Sequence, residues 1–246
     1  MPTLLYKDTT LVKGVAFNSW RRVASVMQSI EVYNTRQVDE LIFLDITATA
    51  RGRRPDFAHV DEFADVCFMP LTVGGGIREV NDVKELLACG ADKVAINTAA
   101  VYDPGLITRI ADKFGSQCVV VSIDARSTVT DNWEVFTHSG TKPSGKGPVA
   151  LAIESEKAGA GEILLTSIER DGTMQGYDIA LIKAVTAAVK IPVIASGGAG
   201  NYEHMLAALQ QGRASAVAAA SIFHFTHQTP LEAKNFLRAN GIAVRN

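Results

Sequence analysis

The two halves of this chain echo one another at a fixed spacing of 122 residues. Glu40 in DELIFLDIT answers Glu162 in GEILLTSIE, Pro70 before LTVGGG answers Pro192 before VIASGG, and Gly90 before ADKVAI answers Gly212 before RASAVA. The runs LIFLDI (41–46), KVAIN (93–97), CVVVSID (118–124), EILLTSI (162–168) and IPVIASG (191–197) are nearly continuous apolar segments, as strands covered on both faces must be. Segments 57–66, 78–89, 104–115, 149–159, 178–189, 202–211 and 230–239 carry apolar residues three and four apart, which predicts helices between those strands. A four-strand βα unit used twice in 246 residues predicts an α/β chain folded as a (β/α)8 TIM barrel with a two-fold half-barrel repeat, in one domain over residues 1–246. An open doubly wound sheet is the alternative, and it leaves the echo unexplained. The alternating TDNWEVFTHSG within residues 127–147 predicts a hairpin inserted in the loop after the fifth strand.

Charge and cysteine usage exclude several classes of function. A net charge of −2, with Lys and Arg scattered, offers no basic stripe for nucleic acid or an anionic membrane surface. Cys67, Cys89 and Cys118 fit neither a disulfide framework nor a metal-ligand spacing, so no metal and no cofactor are expected. Neither a leader pattern nor an apolar run near 18 residues is present, and the expected location is cytoplasmic.

In a barrel of this kind the βα loops carry the chemistry, and both glycine clusters, GGG (74–76) and SGGAG (196–200), fall there. Backbone N–H groups without side chains around them, set before a helix, cradle a phosphate. Asn97-Thr98 and Ala220-Ser221 add small polar groups at matching strand ends, and Asp171-Gly172-Thr173 stands to close over the second cradle. Two such cradles predict a small-molecule substrate with a phosphate at each end. Between them, Asp124 closing VVVSID and Asp45 in FLDIT are the candidates for acid–base work, with structural ion pairing as the alternative for each. The five histidines carry less: His59, His204 and His227 read as surface, His138 belongs to the hairpin, and His224 lies beyond the eighth strand. At the opposite end, Glu40, Lys93 and Glu162 precede strands and predict a ring of mixed charge across the barrel floor. Salt bridges for stability are the default explanation of that ring, and a gated axial passage is the other.

Taken in order, DELIFLDITA, LTVGGGI, GADKVAINTAAV, FGSQCVVVSIDA, GAGEILLTSIERDGT, GYD, IPVIASGGAG and SIFHF resemble the HisF family, the cyclase subunit of imidazole glycerol phosphate synthase, over essentially the whole chain. The resemblance implies a barrel docked as a heterodimer on a glutaminase, HisH. Ammonia would travel through the barrel to a doubly phosphorylated ribonucleotide, PRFAR, which is cyclised and cleaved at the top. It implies phosphate contacts at Gly76, Asn97 and Thr98 on one side and at Asp171, Gly172, Gly198, Ala220 and Ser221 on the other. It also implies a catalytic carboxylate at Asp124, a lid loop carrying Lys13, gate residues at Glu40, Lys93 and Glu162, and a glutaminase-facing position at Asp92.

Two departures from the family pattern bear on function. Leu5 stands where the resemblance implies a second catalytic aspartate, with Asp8 three residues on as a substitute of uncertain fit, and the family's gate arginine would fall before Met1. A related branch has an aliphatic residue at that strand-one position, and CFMP (67–70) and LLYKD are similar to it. Its members work with a HisH-like glutaminase and a separate sugar amidotransferase, converting an acetamido to an acetamidino group on a nucleotide-linked sugar for surface polysaccharide. On sequence alone that branch ranks ahead of the cyclase, and a catalytically silent activator of the glutaminase is the third reading.

Overall fold

The apolar runs become parallel strands covered on both faces. A computed structural model describes residues 1–128 and 132–245. The chain begins β1 (Thr3–Lys7), β2 (Thr10–Val15), β3 (Asn18–Arg22), α1 (Val26–Thr35), β4 (Leu41–Asp45), α2 (Phe57–Ala64), β5 (Leu71–Gly74), α3 (Val80–Ala88) and β6 (Lys93–Ile96). Next come α4 (Thr98–Tyr102), α5 (Pro104–Phe114), β7 (Val119–Ser127), β8 (Trp133–Thr137), β9 (Lys142–Pro143), α6 (Pro148–Lys157) and β10 (Glu162–Ser167). The chain finishes with α7 (Ile179–Thr186), β11 (Val193–Ser196), α8 (Tyr202–Gln210), β12 (Ala216–Val217), α9 (Ser221–Phe225) and α10 (Pro230–Ala239).

The parallel strands follow the order β1, β4, β5, β6, β7, β10, β11, β12. Closure comes from a parallel bridge between Pro2 and Ala219, with Thr3 N donating to Ala219 O and Ala219 N to Met1 O, both at 3.0 Å. This is the (β/α)8 barrel. The helices start where local chemistry supplies a cap: Asp56, Asp178 and Asn201 each accept an N–H from the first turn of α2, α7 and α8, and Thr229 with Glu232 forms a capping box on α10.

Strand alternation divides the apolar residues into two cores. Outward residues such as Leu71, Val73, Val119 and Val121 pack under the helices against Leu86, Ile107 and Ile110, while inward residues Ile42, Ala95, Val120, Leu164, Ile194 and Ala218 fill the lumen as a separate cluster. Following the strand registers, the lumen is stacked in layers contributed by alternate strands. The floor holds Glu40, Lys93 and Glu162; above it lie Met1, Thr72, Val120 and Ile194, then Ile42, Ala95, Leu164 and Ala218. Next come Thr3, Gly74, Ser122 and Ser196, and then Leu44, Asn97, Thr166 and Ala220.

Two insertions crown the mouth. The expected hairpin after the fifth strand starts earlier than residue 127, because β7 runs through the barrel wall and pairs directly with β8 from Asp124↔Phe136 to Ser127↔Trp133. Its residues 129–131 lie outside the described residues. The chain after β1 forms a second, unexpected hairpin, β2 with β3, continuing antiparallel from β1.

Candidate active site

The upper layers open at the C-terminal ends of the strands into a cavity of about 360 Å³. Gly75 and Gly76 turn at φ 108° and 78°, and Gly197 and Gly198 at 87° and 112°, a region that favours glycine. A side chain at Gly198 would collide with the Gly176 carbonyl, so the backbone itself is the wall there. The N–H groups of Gly76, Gly172 and Gly198 donate to no described residue, leaving them free for an anion. The matching strand ends recur with a slip of one residue, since α4 begins at Thr98 and α9 at Ser221. Ser221 Oγ is buried with no partner among the described residues, as a group awaiting a ligand would be. Thr98 Oγ1 already donates to Asn97 Oδ1 at 3.2 Å and accepts from His138 N at 3.1 Å.

Asp124 stands between the cradles in the cavity wall, 9% exposed, with Oδ2 accepting from Asn97 Nδ2 at 3.0 Å. Burial raises its pKa to about 7, the nearby Asp171 carboxylate pushes the same way, and Thr166 pulls weakly against them. A carboxyl poised there exchanges a proton at neutral pH. Asp45 is differently placed. Its Oδ1 accepts from Thr47 N, Thr47 Oγ1 and Ala48 N at 2.8–3.0 Å and its Oδ2 from Arg53 at 3.2 Å, so it organises a loop and the structural alternative holds for it.

Lys13 lies in β2, 3% exposed, with Nζ 2.6 Å from both carboxylate oxygens of Asp171. Sequence distance hid this pair, as 158 residues separate its members. Asp171 N donates to Ser167 O at 3.0 Å, so neither its backbone nor its carboxylate is left for a phosphate, and Gly172 is the free donor on that loop. His224, beyond the eighth strand, is half-buried. Burial foremost, with Lys13 beside it, lowers its pKa to about 4, so it is neutral where it bonds the Thr3 backbone.

At the floor, Lys93 Nζ bridges Glu40 at 2.9 Å and Glu162 at 2.7 Å, assembling the expected ring of mixed charge. Burial opposes the Lys93 charge, but the two carboxylates outweigh it and its pKa is raised. Asp92 is exposed on this end and accepts from Leu71 N at 2.8 Å.

Residues 1–229 match the family described as Histidine biosynthesis protein. Over 245 residues, all of this chain and 97% of the relative, the sequence is 54% identical to the imidazole glycerol phosphate synthase subunit HisF of Hyphomonas neptunium. The chain belongs to the HisF family of histidine biosynthesis proteins. That full-length likeness reverses the sequence-based ranking, since it favours the histidine-pathway subunit over the polysaccharide branch.

Within the barrel, the registers locate the strand-one departure from the family pattern. Leu5 pairs with Leu44, and Asp124 pairs with Thr166, which lies 122 residues beyond Leu44, so Leu5 is the two-fold mate of Asp124. Leu5 also lines the cavity. Asp8 does not substitute for an acid there. It sits on an exposed turn at φ 48° and pairs with Arg51 at 2.5 Å.

Proposed function

We propose that this chain is the cyclase subunit of an imidazole glycerol phosphate synthase, converting PRFAR and ammonia to imidazole glycerol phosphate and AICAR. One observation carries the reading: a carboxyl titrating near neutrality, Asp124, stands between two backbone cradles with unused N–H groups. The cradles at Gly76 and at Gly172 and Gly198 hold the two phosphates, with Asn97, Thr98, Ala220 and Ser221 completing them. Fixed at both ends, the substrate presents its reacting atoms to Asp124, which moves protons as ring closure and cleavage proceed. Lys13 neutralises Asp171, so only one uncompensated carboxyl faces the doubly anionic substrate.

The partner is a HisH-type glutaminase docked on the floor, where Asp92 and the 84% exposed Phe68 lie around the Lys93 ring. An exposed aromatic beside a partly buried charge cluster suits a protein interface. Leu5 favours a second reading, in which the barrel only delivers ammonia to a separate amidotransferase acting on a nucleotide sugar, because a leucine moves no proton. Growth of a histidine auxotroph lacking its own cyclase separates the two. The first reading predicts rescue, and failure to rescue with soluble, glutaminase-bound protein selects the second.

A further inference from the structure

At the base of the catalytic cavity, the lumen contains a hydroxyl that none of the described residues uses. Thr3 Oγ1 is buried, the residue is 7% exposed, and the atom has no hydrogen-bond partner among the described residues. Barrel closure does not need it, because Thr3 N pairs with Ala219 O and the Thr3 backbone also bonds His224. A valine would match its shape and its strand preference, so the hydroxyl is an added polar group in a site where apolar filling serves. Its layer carries three hydroxyls: Thr3, Ser122 and Ser196 lie on alternate strands with Gly74, and all three residues line the cavity. Directly beneath are the apolar Ile42, Ala95, Leu164 and Ala218, and above come Leu44, Asn97, Thr166 and Ala220 and then Asp124, two residues after Ser122 on the same strand.

We infer that the Thr3–Ser122–Ser196 layer holds one molecule of neutral ammonia at the base of the cavity beneath Asp124, the last stop before reaction. The inference rests on the ammonia-using reading above. The layer beneath selects the ligand's charge, since Ile42, Leu164 and two alanines pass a small neutral molecule and reject ammonium, whose desolvation they do not compensate. The layer itself selects the ligand's bonding. Hydroxyls both donate and accept, which suits a molecule with three N–H donors and one lone pair. Released upward, that lone pair reaches the part of the cavity that Asp124 and the cradles line.

Crystals of the full chain soaked in methylamine at a pH that keeps the amine largely neutral test the site without any turnover. We expect density within hydrogen-bond distance of Thr3 Oγ1, longer than the single-atom peak in ammonium-soaked crystals, and lost in Thr3→Val. An empty layer, or a peak that stays one atom long in every soak and so marks water only, overturns the inference. With turnover, Thr3→Val raises the KM for ammonia several-fold while the KM for the phosphorylated substrate holds, and Thr3→Ser restores it. An unchanged ammonia KM counts equally against the site. A parent that binds methylamine but turns over no PRFAR removes the cyclase reading and leaves this site standing.

Discussion

At Asp124, burial and the Asp171 carboxylate act in the same direction, which makes the residue readable by titration. Its folded pKa of about 7 lies above the unfolded value near 3.8, so protonation favours the folded state. The stability this confers is complete below about pH 4, falls as pH rises toward 7, and is gone above that, at about 1.4 kcal/mol for each pH unit between the two values. Asp124→Asn is therefore expected to be more stable than the parent at pH 8, by up to a few kcal/mol, and to lose that advantage at pH 4. Urea unfolding at the two pH values checks it, and equal differences at both would place the carboxyl in an unperturbed environment. Leu5 carries the second prediction at this scale. As the register mate of Asp124 it faces the same cavity, so Leu5→Asp raises turnover of PRFAR if the parent is limited by the missing acid. Removing one general acid or base commonly costs on the order of 10²–10⁴ in rate, and an unchanged kcat would mean that Asp124 suffices. Asp124 was legible in the sequence because a charge closing four apolar residues is a local signal. Asp45 gave the same signal and proved to be a loop organiser, since Arg53 and Thr47, its partners, leave no mark in the pattern.

The β2–β3 hairpin is the element that the sequence concealed and the site depends on. Its turns use Asp8-Thr9 and Ala16-Phe17, all at positive φ, in place of the Asn-Gly type that announces such hairpins. Three contacts hold it over the mouth: Lys13 on Asp171, Ala16 N to Asp171 O at 2.8 Å, and the Arg21 guanidinium 4.6 Å from the Phe225 ring centre. Breaking a buried ion pair by removing one partner costs about 3–5 kcal/mol. Lys13→Met should release the hairpin, seen as faster proteolysis between residues 8 and 20 and a lower unfolding midpoint. Lys13→Met with Asp171→Leu should recover much of the midpoint. Proteolysis unchanged in the single variant would mean the ion pair does not hold the lid. Helix α1 was likewise missed, because VMQSIEVYNT mixes β-branched and short polar residues and buries Ser29 beside Val26, Ile30 and Tyr33.

For the molecule as a whole, the two-fold echo is what made the architecture readable. Glycines at positive φ, prolines before strands and floor charges are local necessities repeated at one spacing, so eight strands and two cradles follow from the chain alone. Pairings between distant parts of the chain, such as Lys13 with Asp171 or Met1 with Ala219, are fixed only by closure and left no trace. The same closed lumen gives the floor its predicted role. In the complex with its glutaminase, Lys93→Met should reduce glutamine-driven turnover while turnover driven by added ammonium salt persists, and an equal loss in both would assign the ring to stability alone. The proposed activity rests on chemistry at Asp124 between the cradles. Incubating the full chain with PRFAR and an ammonium salt tests it most directly: imidazole glycerol phosphate should accumulate with a pH dependence breaking near 7, and Asp124→Asn should abolish it. No product from the parent, or undiminished product from Asp124→Asn, would contradict it.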